Sequence, residues 1–220
     1  MAEQRKKPPQ HFTPAGVSVW PHLHKPDTKF DADGVYKTDL VLDGDDERTQ
    51  QLMEMIDHKV QEAVEHFREE ATTAAAKKKI IAADPPYRME EDEEGNETGR
   101  VVFRFKSKAS GKKKDGGRWE RKLALFDAKR NPLESVPIYN GSILKINFSF
   151  SDPWKMDSTK QAGVTLRINA VQVIELKNGG ATDGADYGFA EEDGYEYEGG
   201  GASDSDDSDD DDGASGEEDF

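Results

Sequence analysis

Lysine and arginine residues cluster between residues 100 and 130, where they number twelve against three acidic residues, a local net charge of +9. Arg104, Lys106 and Lys108 lie two positions apart, so in a β-strand their side chains project from one face. Further cations follow at Lys112, Lys113, Lys114, Arg118 and Arg121. A run of charge is often only a solvated surface, but a line of cations also matches the repeated negative charge of a nucleic-acid backbone.

Aromatic residues accompany the cations at predicted strand ends. A cationic groove with aromatic platforms binds single-stranded nucleic acid without reading its sequence, because every base presents a π face. The same rings can also be core residues, as we expect for Phe103, Phe105, Phe148 and Phe150, which alternate with polar residues. The candidate DNA-contacting residues outside the basic cluster are Trp20, Lys25, Tyr36, Lys37, Trp119, Trp154 and Lys155.

Catalytic motifs are missing from the sequence. The chain has no cysteine, and His22 and His24 could offer two metal ligands from one strand face without an evident third. We find no nucleophile elbow, phosphate-binding loop or dinucleotide-binding glycine motif. The sequence therefore predicts neither an enzyme nor a bound metal or cofactor.

The acidic residues are concentrated at the end of the chain. The 220 residues carry a net charge of -16, yet residues 179–220 hold 17 acidic and no basic residues, which leaves residues 1–178 with a net charge of +1. We expect a disordered acidic tail over 179–220, because a segment of this composition cannot bury enough apolar surface to fold. A tethered polyanion should compete with DNA for the basic surface. The terminal Asp219 and Phe220 could anchor a partner protein.

Two other parts of the chain have a simpler composition. Residues 1–14 are polar and rich in proline, which predicts a flexible N-terminal arm before a folded domain at 15–178. The basic start has no apolar stretch behind it, and the apolar runs elsewhere are only a few residues long. We therefore expect a cytosolic protein with no membrane segment.

Hydrophobic periodicity predicts a mainly β chain with one long helix. Alternation indicates strands at 16–20, 34–42, 101–108, 119–126, 143–150 and 164–176, the last with Ala170, Ile174 and Leu176 in phase with Leu166 and Ile168. Helical spacing runs from Leu52 through Met55 to Phe67, after an N-cap within 43–46, and the Ala-rich residues 71–76 could extend the helix. Residues 84–99 are expected to form a loop. Six strands and a helix favour a small barrel, although a sandwich fits the same pattern.

Several short segments together resemble the single-stranded DNA-binding proteins of short-tailed coliphages and related phages. Each segment is weakly specific alone, but their order and the acidic tail that ends in Phe220 make the set specific. The segments are Lys25-Pro-Asp27, Gly34-Val-Tyr-Lys-Thr-Asp-Leu40, Phe103-Arg-Phe-Lys106, Ala109-Ser110, Val136-Pro137, Gly141-Ser-Ile-Leu-Lys145, Trp154, Ala162-Gly-Val-Thr-Leu166, Val173-Ile-Glu-Leu176 and Asp219-Phe220.

The resemblance implies an oligonucleotide-binding (OB) fold barrel with a long helix inserted after the second strand. It also implies a homodimer in which the tail can cover the DNA cleft of the partner. Proteins of this kind protect and anneal single strands during phage DNA replication, recombination and repair in the cytoplasm of the infected bacterium. Their tail contacts the phage DNA polymerase and helicase–primase.

Two features depart from the family pattern. The family has two aromatic residues near the position of Trp154, where this chain has one. The loop at 111–117 is unusually rich in lysine, which favours any phosphate backbone and predicts weak binding to duplex DNA.

Two other functions fit parts of the sequence. An acidic-tailed chaperone for basic proteins would explain the run of Ser and Asp at 203–212, but not the basic strands with their flanking aromatic residues. A nuclease is disfavoured because no rigid acidic cluster accompanies those strands.

Overall fold

The computed structural model describes residues 8–113, 115–134 and 136–177. Strands dominate, with one long helix and one short helix between the second and third long strands. The elements are β1 (His11–Phe12), β2 (Gly16–Asp27), β3 (Val35–Asp43), α1 (Glu47–Glu70), α2 (Ala74–Lys79), β4 (Ile81–Ala82), β5 (Tyr87–Glu91), β6 (Glu97–Lys108), β7 (Ser110–Lys112), β8 (Arg118–Glu120), β9 (Ala124–Phe126), β10 (Ile143–Phe150), β11 (Trp154–Lys155), β12 (Gln161–Gly163) and β13 (Leu166–Glu175).

Five strands close into a barrel in the order β10–β2–β3–β6–β13, and β13 pairs again with β10. The β6–β13 pairing is parallel and the other four are antiparallel. Strands β5 and β9 extend the sheet outside the closed ring, on β6 and β13 respectively. This is the strand order of an OB-fold, so the expected barrel is confirmed over a sandwich.

The core fills the barrel interior, as period-two alternation predicts. Phe103, Phe105 and Phe148 are fully buried, and the rings of Phe105 and Phe148 meet edge to face at 5.4 Å. On β6, Arg104 and Lys106 alternate with Phe103 and Phe105 and are exposed. Burying such apolar side chains stabilises the fold by about 1.5–3 kcal/mol each.

Helix α1 begins where the sequence indicates, because the Asp46 side chain accepts a hydrogen bond from the Arg48 N–H and caps the helix. Leu52, Ile56 and Val60 are buried on one stripe, whereas Met55 is partly exposed at its edge. The helix ends at Glu70, so the expected extension through the alanine-rich segment is wrong. The segment begins a second helix, α2, with Thr73 as its own N-cap.

Residues 84–99, expected to be a loop, instead form a hairpin. Strand β5 pairs antiparallel with β6, and the turn between them is held by the Asp92 side chain, which accepts hydrogen bonds from the N–H groups of Glu94 and Asn96. The density of acidic residues led to the prediction of a loop. A hairpin tolerates these residues because solvent and salt screen the repulsion between exposed like charges.

The sequence predicts a flexible arm over residues 1–14, and this prediction is wrong for residues 11–13. His11 and Phe12 pair with Phe148 and Asn147 of β10. Thr13 is buried and bonds Ile146 twice: its N–H donates to the Ile146 carbonyl and its Oγ1 accepts from the Ile146 N–H, both at 3.0 Å. The chain is thereby fixed to the barrel before β2 begins.

Strand β13 changes phase near Asn169. Ile168 pairs with Phe148, but Ala170 pairs with Asn147, so one residue of β13 has no counterpart. This irregularity turns Val171 and Val173 inward and leaves Ile174 and Leu176 exposed, contrary to the alternation expected through 176. The expected acidic tail, 179–220, with Asp219 and Phe220, lies outside the described residues.

Candidate nucleic-acid interface

The outer surface of β3 and β6 carries a compact group of cations. In the register of this antiparallel pair, Lys37 lies opposite Lys106, and Lys108 lies opposite Val35. Arg104 lies opposite Asp39, with its side chain 66% exposed. We call Lys37, Arg104, Lys106 and Lys108 the basic face. OB-folds commonly use this pair of strands to bind oligonucleotides.

Trp20 lies beside the basic face and is 70% exposed. It lines a groove of about 320 Å³ together with Lys37, Arg104 and Lys106. The β2–β3 pairing is interrupted between Val19 and His22, and Trp20 there has a φ of 51°. Its N–H donates a 2.6 Å hydrogen bond to Asn140 Oδ1. A left-handed backbone is costly for a bulky residue, and such strain is often retained where a side chain must be presented to a ligand.

Carboxylates lie against several of these cations. Lys37 Nζ is 2.6 Å from Asp27 Oδ2, and Lys108 Nζ is 3.6 Å from Asp31 Oδ2. The hydrogen bond from the Lys37 ammonium, followed by that from the Lys29 N–H, lowers the pKa of Asp27 below its ordinary 3.8. The free protein therefore has a partly neutralised basic face.

The β7–β8 hairpin continues the basic face beyond the end of β6. Lys112 and Lys113 are exposed there, whereas Lys114 lies outside the described residues. Arg118 Nη2 is 2.8 Å from Asp33 Oδ1 and donates to Ser110 Oγ at 2.7 Å. Trp119 is half-buried and packs so closely over Gly111 that a Cβ at Gly111 would lie 2.9 Å from the indole nitrogen.

Two candidate residues make contacts within the barrel. Tyr36 is only 5% exposed and lies in the core, on the inward face of β3 with Thr38 and Leu40. Its ring face is not available to a base, so its assignment as a stacking residue is corrected. Arg121 donates from Nη2 to the carbonyl oxygens of Ile168 (2.6 Å) and Asn169 (3.0 Å).

Arg121 thus has a structural role at the irregularity in β13. Partial burial lowers the pKa of its guanidinium, Tyr36 opposes this shift, and Arg167 adds to it. The two hydrogens of Nη2 are donated to backbone carbonyls. We therefore leave Arg121 out of the proposed phosphate contacts.

The structure does not bring Trp154 to the basic face. Strand β11, which contains Trp154 and Lys155, belongs to a separate small sheet with β12 and β4. The Trp154 ring packs near Gly163, and its Nε1 is buried with no hydrogen-bond partner among the described residues. Lys155 Nζ lies 5.4 Å from the centre of the Phe67 ring on α1.

Two exposed residues near the basic face were not predicted from the sequence. Phe30, in the loop between β2 and β3, is 85% exposed, and Lys29 Nζ lies 5.3 Å from its ring centre. Arg88 on β5 lines a second groove, of about 420 Å³, that continues past Arg104 and Asp39. Phe30 could have been identified as a candidate from the sequence, because it is an aromatic residue in an otherwise polar turn at 27–34. Lys25, which the sequence did indicate, is exposed on β2.

The described residues contain no group of three or more His, Asp and Glu side chains placed to hold a metal ion. Over the same part of the chain, no helix has both the length and the apolar character needed to cross a membrane.

Solved structures resemble this fold. The crystal structure of gp2.5, a single-stranded DNA-binding protein encoded by bacteriophage T7, aligns with a TM-score of 0.66 and 29% identity, over 84% of this chain and 98% of that one. The single-stranded DNA-binding protein from bacteriophage Enc34, solved in complex with single-stranded DNA, aligns with a TM-score of 0.50. At 15% identity, over 77% of this chain and 88% of that chain, the second match supports the fold alone.

Sequence comparisons identify the family. The single-stranded DNA-binding protein of Escherichia phage T7 is 32% identical over 167 residues, which are 74% of this chain and 71% of that protein. That of Enterobacteria phage T3 is 30% identical over 167 residues, 73% of this chain and 70% of that protein. These relatives are named for DNA binding and not for a reaction. A family model described as the single-stranded DNA-binding protein of bacteriophage T7 matches residues 17–176, and the chain therefore belongs to that family of phage single-stranded DNA-binding proteins.

Proposed function

We propose that the chain binds single-stranded DNA independently of its sequence along the basic face and the β7–β8 hairpin. The proposal is carried by the position of Trp20. This residue has a left-handed backbone conformation, its side chain is exposed, and it lines a groove with Lys37, Lys106 and Arg104. Cations bind phosphates at any sequence, and an indole stacks on any base. The proposed contacts are Trp20, Lys25, Lys37, Arg104, Lys106, Lys108, Lys112, Lys113, Lys114, Arg118 and Trp119, with Trp154 and Lys155 as secondary contacts.

The test is a titration with oligo-dT in which tryptophan fluorescence is followed. Trp20→Ala should lower affinity by about 1–3 kcal/mol, the cost of removing one stacked base, and should reduce the quenching more than Trp154→Ala does. Trp154→Ala is the matched comparison, because Trp154 lies in the small β11–β12–β4 sheet. A larger loss of affinity in Trp154→Ala than in Trp20→Ala would contradict the proposed platform.

We propose further that the protein acts in phage DNA replication, recombination and repair, in the cytoplasm of the infected bacterium, by protecting and annealing single strands. Membership of the family supports this role. Annealing of two complementary oligonucleotides, followed by gel electrophoresis, tests it: the protein should accelerate annealing, and Trp20→Ala should reduce the acceleration. The lysine-rich hairpin supports a weak additional affinity for duplex DNA, measurable by a gel shift.

The acidic tail is proposed to compete with DNA and to recruit the phage DNA polymerase and helicase–primase through Asp219 and Phe220. Seventeen acidic residues within 179–220, on the same chain as a basic surface, support the competition. We also propose a homodimer, to be tested by analytical ultracentrifugation. The alternative, an acidic-tailed chaperone without DNA binding, is disfavoured by the membership of a DNA-binding family.

A further inference from the structure

Residues 27–34, from the last residue of β2 to the start of β3, bring three carboxylates to three cations of the proposed interface, and we call this segment the acidic loop. Asp27 bonds Lys37, Asp31 faces Lys108, and Asp33 pairs with Arg118, with nitrogen–oxygen distances of 2.6, 3.6 and 2.8 Å. The cations come from three different strands, β3, β6 and β8. Each of them is also a proposed phosphate contact.

Hydrogen bonds within the acidic loop, and from the loop to Ala109 and Ser110, hold it in this position. Asp27 Oδ1 accepts from the Lys29 N–H and Asp31 Oδ1 accepts from the Asp33 N–H, which form two successive turns. The carbonyl oxygens of Asp33 and Gly34 accept hydrogen bonds from Ser110 Oγ (2.7 Å) and the Ala109 N–H (2.8 Å). Gly34 has a φ of 73°, which a larger side chain would strain. The carboxylates are therefore placed by the fold beside the start of the hairpin.

A carboxylate and a phosphate compete for the same donors on a cation, because both offer negatively charged oxygens. A phosphate that approaches Lys37, Lys108 or Arg118 meets the carboxylate already there and competes with it for the charge and donors of that cation. The three cationic side chains remain 40%, 60% and 50% exposed. Ion pairs at such exposure are weak, so DNA can exchange with them at low cost.

We propose that Asp27, Asp31 and Asp33 are affinity-determining residues of the interface, which occupy the phosphate positions of the free protein and give way to single-stranded DNA. The inference rests on the proposed function. It differs from simple repulsion between an acidic loop and DNA in one respect. A carboxylate that occupies the place of a phosphate, which we call a phosphate surrogate, lowers DNA affinity only while its partner cation is present. Simple repulsion acts whether or not that cation is present.

The pair of Asp33 and Arg118 gives the sharpest test, because the Asp33 side chain has no other hydrogen bond among the described residues. Four proteins are compared in oligo-dT titrations at low salt: the full chain, Asp33→Asn, Arg118→Ala and the double variant. Asp33→Asn should raise affinity about two- to fivefold, the range expected from an exposed ion pair. Arg118→Ala should lower it, and Asp33→Asn should then add nothing in the Arg118→Ala background.

The outcomes separate the inference from the proposed function. An equal gain from Asp33→Asn with and without Arg118 would overturn the surrogate role and leave the interface standing. An unchanged affinity in folded Arg118→Ala would overturn both at this position. Circular dichroism establishes that each variant is folded.

A charge-matched comparison supplies a second test. The triple variant Asp27→Asn, Asp31→Asn, Asp33→Asn should bind oligo-dT about tenfold more tightly at low salt, if three weak pairs add. The control Asp45→Asn, Glu54→Gln, Glu69→Gln removes the same charge from exposed residues that make no ion pair among the described residues. An equal gain in the two triple variants would overturn the proposal.

Discussion

The backbone N–H of Trp20 and the side-chain oxygen of Asn140, 120 positions later in the chain, share a 2.6 Å hydrogen bond. Asn140 lies just before β10, and Gly141 N–H donates to the Ser18 carbonyl nearby at 2.9 Å. The left-handed conformation that exposes the indole is therefore stabilised from a distant part of the chain. Asn140 is not itself a proposed DNA contact, which makes it a useful probe of how Trp20 is presented.

Replacement of Asn140 by alanine should weaken DNA binding although no proposed DNA-binding side chain is removed. Without the hydrogen bond, residue 20 can relax toward an ordinary strand conformation, at a cost to stability of about 1 kcal/mol. We expect a lower oligo-dT affinity and weaker tryptophan quenching. Asn140→Asp keeps an acceptor at Oδ1 and, at a salt concentration that screens its added charge, should retain more of the binding than Asn140→Ala. Equally weakened binding of both variants under that condition would argue against this role.

The basic face should determine the salt dependence of binding. Changing Arg104, Lys106 and Lys108 together to alanine should flatten the slope of log K against log salt by about 0.7 for each phosphate that is no longer neutralised, roughly two units in all. The control changes Lys77, Lys78 and Lys79 on α2, which removes the same charge from exposed positions. An unchanged slope in the folded basic-face variant would refute this placement of the phosphates.

The Asp27 carboxyl should titrate below its ordinary pKa of 3.8, chiefly because the Lys37 ammonium donates a hydrogen bond to it. A depressed folded-state pKa adds stability that is present above the unfolded value and is lost as the pH falls through the folded value. Lys37→Met should raise the Asp27 pKa, as measured by NMR titration of the side-chain carboxyl. Asp92, whose pKa is lowered mainly by hydrogen bonds from Asn96, should not change and serves as the internal control.

Removal of residues 179–220 should strengthen DNA binding with little change in folding stability. The deletion changes the net charge from -16 to +1. The gain in affinity should be largest at low salt, where screening is weakest. Equal affinities of the shortened and full chains for oligo-dT at low salt would show that the tail does not compete.

Deletion of Phe220 alone should act differently, because it removes no charged side chain. DNA binding should stay nearly the same, whereas binding to the phage polymerase or helicase–primase should weaken in a pull-down assay. A decrease in DNA affinity as large as that of an interface variant would contradict the proposed division of roles.

Local patterns in the sequence predicted much of the fold and part of the site. On β6 the period of two separates Phe103 and Phe105 from Arg104 and Lys106, because neighbouring side chains in a strand point to opposite faces. The same rule, applied to β3, puts Tyr36 on one face with Thr38 and Leu40, and in the structure this face is buried.

Long-range interactions could not be predicted in this way. The pairing of Asp33 with Arg118, or of Arg121 with the carbonyls of β13, depends on the strand order and on the register. The irregularity at Asn169 reverses the alternation that the sequence predicts for the rest of β13, because a single unpaired residue exchanges the two faces of the strand.

The short strand β1 protects an otherwise open edge of the barrel. Strand β2 pairs with β10 only at Ile143 and Leu144, and β1 takes over at Asn147 and Phe148, with Thr13 bonded to Ile146 between them. Without β1, the backbone groups of this part of β10 would lie free to pair with a strand of another molecule, and exposed edges of this kind promote aggregation. Strand β1 is therefore expected to limit aggregation through this edge. An affinity tag should precede His11 and should not replace residues of β1.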